Sequence, residues 1–322
     1  MAGHPAAQAD GMSADRVALG LAALGRPAYI NLGSEGALPP VRDVASMRAA
    51  TFAVLDDAYA AGVRHVDVAR SYGRSEEFLA GWFAERGHTG VEVSSKWGYA
   101  YVGDWRLDAD VHEVKEHSAA RFAAQWAETL ALLADRVGLY QVHSLTVDSP
   151  LFTDEPLLEA LAELSANGVA VGFSTSGPAQ AAAIERAFAL EVAGRPVFSA
   201  VQSTWNVLEP SAGTALAAAH AAGNRVLVKE TLANGRLVVE APAAVREIAA
   251  AHGTGPDAVA VAAVLANGWV DRAVIGPASP AQLASNLRAT TVELTAAERA
   301  ALAGLAEEPG AYWRHRSSLA WR

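Results

Sequence analysis

The sequence predicts a single-domain α/β fold, a (β/α)8 TIM barrel, from three observations. Short runs rich in Val and Ile alternate with longer Ala-rich amphipathic segments, which is the pattern of repeated βα units. Eight such runs occur, and eight strands that alternate with helices close naturally into a barrel. The 322 residues suffice for one large barrel, and no composition shift or Pro/Ser-rich linker divides the chain. A doubly wound open sheet is the structural alternative.

The predicted elements follow one another along the whole chain. Strands are expected at residues 17–24, 64–69, 91–96, 138–143, 170–175, 198–205, 225–231 and 271–276. Helices are expected at 45–62, 75–87, 119–138 and 156–169, and several of these segments end at glycine, as helix C-termini prefer. Ser75, which precedes two glutamates, is predicted to be a helix N-cap. Residues 1–14 are expected to form a disordered leader, and residues 15–322 the barrel domain with a C-terminal tail.

The composition excludes several classes of function. A net charge of -10 and a pI of about 5.4 argue against a nucleic-acid partner or an anionic membrane surface, because polyanions need a net basic face. No uncharged apolar run is long enough to span a bilayer, and the first residues lack the pattern of a signal peptide, so we expect a cytoplasmic protein. The absence of cysteine excludes disulfides, Cys-zinc sites and thiol catalysis.

Polar residues collect at the C-terminal ends of the predicted strands. They are Asp67, Lys96, His143, Ser174, Thr175, Gln202, Lys229 and Glu230. An unpaired charge in a buried strand is costly, and the carboxyl ends of barrel strands form the face where chemistry is done. We therefore predict the active site at this rim, close to the stretch VDVARSYGRSEEF, residues 66–78.

Three of these residues, Asp67, Lys96 and His143, form an acid–base set together with the neighbouring Tyr72. A lysine about 4 Å from a phenol favours the phenolate by about 4 kcal/mol at an effective dielectric constant near 20. This corresponds to lowering the phenol pKa by about three units, minus the part of the lysine's effect that a neighbouring carboxylate cancels. Asp67 would hold Lys96 charged, and His143 would donate to a substrate oxygen. The alternative is a structural Asp67–Lys96 ion pair without chemistry.

The chain resembles the aldo-keto reductases from about Gly20 to about Asn286. The resemblance is carried by VRHVDVARSYGRSEEFL, VSSKWG, LYQVHS, VGFSTSG, AVQSTWN, LANGRL and IGPASPAQLASNL. It implies that Tyr72 is the general acid, that Lys96 and Asp67 tune it, and that His143 positions a carbonyl group to which a nicotinamide delivers hydride. It also implies cofactor contacts: Ser174 and Gln202 at the carboxamide, Asn234, Gly235 and Arg236 at the pyrophosphate, and Gly276, Gln282 and Asn286 at the adenosine.

Three departures from the family pattern concern the cofactor. Thr175 stands where the family usually has asparagine, and Lys229 stands where many members place an aromatic ring against the nicotinamide. Gln282 replaces an arginine that some members use for the 2'-phosphate, and it offers only neutral hydrogen bonds. Since no acidic residue lies between 276 and 286 to repel a phosphate, we predict that NADP(H) is favoured and that NAD(H) is usable.

The segment 97–118 is too long for an ordinary βα connection and is predicted to be a substrate loop. We predict substrate contacts from Tyr29, Trp97, Tyr99 and Trp205, although loop aromatics can equally pack onto the barrel. Near the C-terminus, Trp313 and Trp321 either roof the pocket or anchor the tail.

Two histidine features are interpreted as structural. His65 lies two residues before Asp67 and is predicted to be a hydrogen-bonded core residue. In the motif HEVKEH, His112 and His117 are five residues apart rather than four, so no metal site is predicted.

The sequence therefore predicts an NAD(P)(H)-dependent reductase of an aldehyde, ketone or sugar. Its partner is a small-molecule carbonyl compound or sugar, and nothing in the sequence defines an oligomeric state. Two alternatives stay open: a cofactor-binding regulatory subunit with little turnover, and a dehydrogenase that oxidises a sugar at its anomeric carbon.

Overall fold

A computed structural model describes residues 14–33 and 36–322. Eight parallel strands close into a barrel in chain order, with the first strand paired to both the second and the last. The strands are β1 (Val17–Gly20), β2 (His65–Asp67), β3 (Glu92–Trp97), β4 (Val137–Leu145), β5 (Ala170–Thr175), β6 (Ala200–Thr204), β7 (Arg225–Lys229) and β8 (Arg272–Ile275). Each falls on a predicted run, so the TIM barrel is confirmed and the open sheet is not adopted.

Helices surround the barrel. They are α1 (Val44–Ala60), α2 (Ser75–Arg86), α3 (Ala119–Leu133), α4 (Glu155–Ala166), α5 (Gln180–Phe188), α6 (Gly213–Ala221), α7 (Arg236–Val239), α8 (Ala243–Ala251), α9 (Pro256–Leu265), α10 (Pro280–Leu287), α11 (Ala296–Ala303) and α12 (Pro309–Ser317). The prediction that Ser75 caps α2 is wrong. Arg74 holds the N-cap position, and the Ser75 hydroxyl donates instead to the carbonyl of Ala69 at 3.2 Å.

The strands are buried on both faces. Outward residues of the strands join the helices in the main apolar core, whereas a small inner cluster consists of Ala18, Leu139, Ala200, Leu227 and Val274. Toward the carboxyl ends the inward positions become polar, because alternate residues of a strand face the same side. This change brings Asp67, Lys96 and Gln202 together inside the barrel.

Two segments cover the mouth of the barrel. The long connection after β3 contains an antiparallel hairpin of Tyr99–Tyr101 and Glu113–Lys115. The C-terminal residues cross the mouth, where the backbone N–H of Tyr29 donates to the Arg322 carbonyl at 3.0 Å and the Arg322 N–H donates back at 3.2 Å. Residues 1–13 of the predicted leader lie outside the described residues, and Ala14 begins a short 3-10 helix.

No single helix in the described ranges is long and apolar enough to cross a membrane. α8 and α9 reach that length only as a pair, and this pair is bent by 91°.

Candidate active site

A cavity of about 300 Å³ opens at the carboxyl ends of the strands. Its wall includes Gly20, Arg26, Tyr29, Asp67, Tyr72, Tyr99, Glu113, His143, Gln202, Lys229, Glu230, Asn234, Gly276, Arg316 and Trp321. The rim predicted from the strand ends is therefore a real concave site, which is the usual form of an enzyme pocket.

Three of the four predicted acid–base residues line this cavity, and the fourth, Lys96, is buried next to it. Asp67 ends β2, Tyr72 lies in the turn after it, and Lys96 and His143 project from β3 and β4. The Lys96 ammonium donates to Asp67 in a buried ion pair, and its Nζ lies 4.9 Å from the centroid of the Tyr72 ring. The Tyr72 and His143 rings are 5.4 Å apart, edge to face. The phenol and the imidazole thus face the cavity together, and the ammonium lies behind them in contact with the carboxylate.

Asp67 has hydrogen-bond partners besides Lys96. Its Oδ1 accepts from the Ser94 hydroxyl at 2.7 Å and from Gln202 Nε2 at 2.9 Å. Since Ser94 donates to Asp67, its oxygen accepts from His65 Nε2, which is 2.9 Å away. His65 is therefore buried and hydrogen-bonded inside the barrel, as predicted, and it extends the network that orients the carboxylate.

The acidity of Tyr72 differs from the sequence prediction. Burial and then the charge of Asp67 raise its pKa well above the usual value, and Arg26 opposes this shift. The expected net lowering of the Tyr72 pKa is wrong for this site, because burial and the Asp67 charge outweigh the nearby cations.

His143 is a neutral imidazole in this site. Burial, together with the cations Lys96, Lys229 and Arg26, lowers its pKa well below the ordinary value. Its Nδ1 lies 3.3 Å from the Ser71 hydroxyl. A neutral ring that accepts from Ser71 at Nδ1 carries its hydrogen on Nε2, the tautomer that can donate to a substrate oxygen.

Charged residues also line the side of the cavity near β7. Burial lowers the pKa of Lys229 to about 8, and its Nζ is 3.0 Å from Thr204 Oγ1 and 3.8 Å from Glu230 Oε1. Burial alone would raise the pKa of Glu230, but Arg316 and Lys229 outweigh it and hold that pKa at about 2. Arg316 donates to Glu230 from Nε at 2.8 Å and from Nη2 at 2.6 Å, which ties α12 to the end of β7.

Sequence reasoning missed Arg26. This residue is 2% exposed, and its Nη1 is 2.6 Å from Glu113 of the hairpin. The guanidinium carbon lies 4.6 Å from the ring centroid of Tyr29, 5.1 Å from that of Tyr72 and 4.8 Å from that of Trp321. The signal was a Gly-Arg pair directly after the first predicted strand, at the same rim as the other polar residues.

The predicted cofactor residues divide into two groups. Gln202, Lys229, Asn234 and Gly276 line the cavity, and Ser174 lies beside it, where its hydroxyl accepts from the backbone of Ser144 at 2.8 Å. The others point away or are already paired: Thr175 bonds Ser203 at 2.7 Å, Arg236 pairs with Glu307, and Asn286 donates to Asp257 at 2.7 Å.

Two more predicted cofactor positions have structural partners. Gln282 Oε1 accepts from the backbone of Ala278 at 2.8 Å, and its Nε2 lies 3.4 Å from the Gly33 carbonyl. Gly235 has φ +91°, and a Cβ there would lie 2.3 Å from the Leu32 carbonyl oxygen. The connection after β1 therefore packs on the loop predicted to pass the pyrophosphate.

Two features of the cavity wall fit a dinucleotide, at positions that the family resemblance assigns to the adenosine and the pyrophosphate. A Cβ added at Gly276 would meet only the Gly20 carbonyl, 4.0 Å away, so the wall is open there. Asn234 Oδ1 is buried without a hydrogen-bond partner among the described residues, although the Nδ2 of the same side chain donates to Ile30. The open glycine wall leaves room for a bound group, and the unused acceptor can receive a hydrogen bond from it.

Only two of the four predicted substrate residues reach the cavity. Tyr29 and Tyr99 line it, whereas Trp97 is fully buried against Phe122 and His117, and Trp205 packs against Trp269. Trp97 follows Lys96 and therefore faces the opposite side of β3. We do not retain Trp97 and Trp205 as substrate residues.

The two C-terminal tryptophans have different positions. Trp321 lines the cavity and stacks on His112 with ring centroids 4.3 Å apart, so it roofs the site. Trp313 is buried in the main core and anchors α12. The stretch HEVKEH includes a β-strand rather than a helix, and no cluster of three or more potential metal ligands occurs in residues 14–33 and 36–322.

Comparison with known proteins agrees with this geometry. The aldo/keto reductase family model matches residues 40–307, and the search of curated proteins found no significant match. An aldo-keto reductase from Bacillus halodurans, solved in its holo form, shares 21% identity, with 91% of this chain and 92% of that chain covered and a TM-score of 0.66. A glycerol dehydrogenase from Gluconobacter oxydans shares 22% identity, with 90% of each chain covered and a TM-score of 0.67. At these identities the structural likeness supports the fold alone.

A closed parallel barrel with an acid–base cluster at its carboxyl ends defines the class as an α/β-barrel enzyme. The family match covers most of the chain, and the chain therefore belongs to the aldo/keto reductase family. It is accordingly an NAD(P)-dependent oxidoreductase of carbonyl compounds.

Proposed function

We propose that this enzyme transfers hydride between a nicotinamide nucleotide and the carbonyl carbon of an aldehyde, ketone or sugar, with Tyr72 as the proton donor. The observation that carries the proposal is that Tyr72, Asp67 and His143 line one cavity and that Lys96 is paired with Asp67 beside it. The reaction is reversible, so the ratio of cofactor forms sets its direction.

The residues of the chain have distinct tasks in this proposal. When it is bound, the nicotinamide supplies the hydride that forms the new C–H bond. His143 donates to the carbonyl oxygen and orients it, and Tyr72 transfers its proton as negative charge develops on that oxygen. The phenolate left on Tyr72 faces the Lys96 ammonium, which Asp67 holds in place. In the reverse direction Tyr72 accepts the proton of an alcohol.

For the cofactor we propose contacts from Gln202, Ser174 and Lys229 at the nicotinamide, from Asn234 at the pyrophosphate, and from Gly276 and Gln282 at the adenosine end, with Gln282 toward the 2'-phosphate. The preference for NADP(H) should be modest, with NAD(H) usable, because a neutral amide binds phosphate less strongly than arginine does. Thr175, Arg236 and Asn286 keep structural partners and support this wall from behind.

The test of the proposal is the variant Tyr72→Phe. It should abolish measurable carbonyl reduction and leave nicotinamide binding nearly intact, because the phenol matters only as charge develops on the carbonyl oxygen. Turnover is measured by cofactor absorbance and binding by fluorescence titration. Tyr59→Phe, which removes a partly buried phenol that stacks on His88 away from the cavity, is the matched control and should retain most activity. Near-normal turnover in Tyr72→Phe would disprove the proposed mechanism.

A substrate panel separates the remaining alternatives. Aldehydes, ketones, sugars and simple polyols are assayed in both directions, and the polyols are included because the structural relative from Gluconobacter oxydans is a glycerol dehydrogenase. Oxidation of sugars with little reduction of any carbonyl compound would favour the sugar dehydrogenase. Tight cofactor binding without steady-state turnover across the panel would favour the regulatory subunit.

A further inference from the structure

A buried arginine outside the four predicted acid–base residues lies against Tyr72. The guanidinium carbon of Arg26 is 5.1 Å from the centroid of the Tyr72 ring, close to the 4.9 Å that separates Lys96 Nζ from the same centroid. Arg26 Nη1 also donates to the carbonyl of Ser71 at 3.1 Å, directly before Tyr72 in the chain. Tyr72 therefore has two cations at similar distances.

The two cations are compensated by different partners. Lys96 is in contact with Asp67, and the Asp67 charge itself acts on Tyr72. Arg26 is paired with Glu113, which belongs to the hairpin over the barrel mouth and is 17% exposed. At the Tyr72 phenol, burial and Asp67 raise the pKa, Arg26 lowers it, and Glu113 raises it by a smaller amount.

We propose that Arg26 and Glu113 together set how readily Tyr72 gives and takes its proton, with Arg26 as a positioning residue that acts through Tyr72. This inference rests on the proposed function of Tyr72. Proton transfer from Tyr72 to the substrate oxygen leaves a phenolate in a buried site, and the guanidinium of Arg26 stabilises that charge. Glu113 orients the guanidinium of Arg26 and limits how strongly its positive charge stabilises the phenolate of Tyr72.

Other charged and titratable groups face Tyr72 and enter the same balance. They are Asp67 from β2, Lys96 from β3, His143 from β4, Glu230 after β7, and Tyr29 in the connection after β1. Arg26 also lowers the pKa of His143 and of Tyr29, whereas Glu113 is not among the main charges that act on either residue, so Glu113→Gln tests the balance at Tyr72 more directly.

The experiment measures the pH dependence of kcat/KM for alcohol oxidation, in which Tyr72 accepts the proton. Arg26→Met should move the rising limb to higher pH by about one unit, which is about a tenfold loss of kcat/KM at each pH on that limb. Glu113→Gln should move the limb in the opposite direction. The double variant should return toward the wild-type curve, because one charge of each sign has been removed.

Arg74→Met is the matched control. It removes a positive charge two residues from Tyr72, but this arginine is solvent-exposed and should not shift the limb. A merely structural role for Arg26 would lower kcat/KM in both single variants, whereas the proposed role lowers it in Arg26→Met and raises it in Glu113→Gln. A direct substrate contact would change KM by amounts that differ between alcohols, whereas the proposed role displaces the curve equally for all of them.

The outcomes separate this inference from the proposed function. Single variants that leave the limb in place, or that shift it in the same direction, overturn the role of Arg26 and Glu113 while Tyr72→Phe still abolishes turnover. If Tyr72→Phe itself remains active, the proposed function fails first. If Arg26→Met does not fold, the test rests on Glu113→Gln. The rising limb of its kcat/KM profile should move to lower pH, and a limb that stays in place would overturn the proposal.

Discussion

At the scale of single residues, Gln282 has a structural role and is proposed to have a second one at the cofactor. Its backbone N–H is 3.3 Å from the Ser279 hydroxyl that caps α10, and its Oε1 accepts from Ala278. These contacts place the amide at the start of a helix, where anions are favoured by the helix dipole and free N–H groups. The family resemblance assigns the same position to the 2'-phosphate of NADP(H).

Two substitutions at Gln282 test this assignment. Gln282→Glu retains an acceptor for Ala278 and adds a negative charge, so it should weaken NADPH binding by at least about tenfold and change NADH binding little. Gln282→Arg should tighten NADPH by about 1–2 kcal/mol, the increment of a charged over a neutral hydrogen bond, and make binding more salt-sensitive. Fluorescence titration with both cofactors is the measurement. If the two substitutions changed NADPH and NADH affinity equally, Gln282 would not be at the 2'-phosphate site.

At the scale of elements, the turn after β1 packs on the turn after β2 without side chains between them. A Cβ added to Gly25 would lie 2.3 Å from the Tyr72 carbonyl oxygen and 2.6 Å from Ser75 Cβ. The Arg74 N–H donates to the Gly25 carbonyl at 2.7 Å, and Gly73 adopts φ +57° to allow the approach. This backbone contact holds Arg26 and Tyr72 side by side.

Gly25→Ala should therefore lower the free energy of unfolding by about 1–3 kcal/mol, the usual cost of forcing extra volume into a packed site. It should also reduce kcat, because the Tyr72 turn must move. Gly268→Ala is the control, since no atom lies within 4 Å of a Cβ at Gly268. Urea unfolding gives the comparison. Equal stability of the two variants would show that the contact can relax without cost.

At the scale of the whole molecule, the C-terminus completes the site. The Arg316–Glu230 ion pair joins α12 to β7, and Asn206 donates to the Tyr312 hydroxyl at 3.0 Å. Residues of the tail then cross the mouth as far as Tyr29. The last helix is thus attached to the barrel through a carboxylate in the cavity wall.

This attachment predicts a pH-dependent stability. The Glu230 pKa is held at about 2 in the folded protein against an ordinary 4.5, so its contribution is fully present above about pH 5 and is lost as the pH falls toward 2. Glu230→Gln should lower the free energy of unfolding by about 3 kcal/mol at pH 7, and the difference from wild type should shrink at pH 3. Glu77→Gln breaks an exposed pair with Arg74 and should have little effect. A constant difference at both pH values would contradict the prediction.

The sequence by itself determined the barrel and the positions of the acid–base residues along it. Strand and helix periodicity are local properties, and the carboxyl ends of parallel strands meet at one face, so Asp67, Tyr72, Lys96 and His143 could be placed at one rim before any coordinates. Their catalytic roles stay a prediction.

Only the tertiary structure decided which neighbours each side chain has. Trp97 and Thr175 lie at strand ends like the site residues but face outward, because a shift of one residue reverses the side of a strand. Arg26 and Glu113 are 87 residues apart, and neither the length of the intervening chain nor its composition predicts their contact. The pKa of Tyr72 depends on burial and on charges from several separate segments, and such distances exist only in the folded molecule.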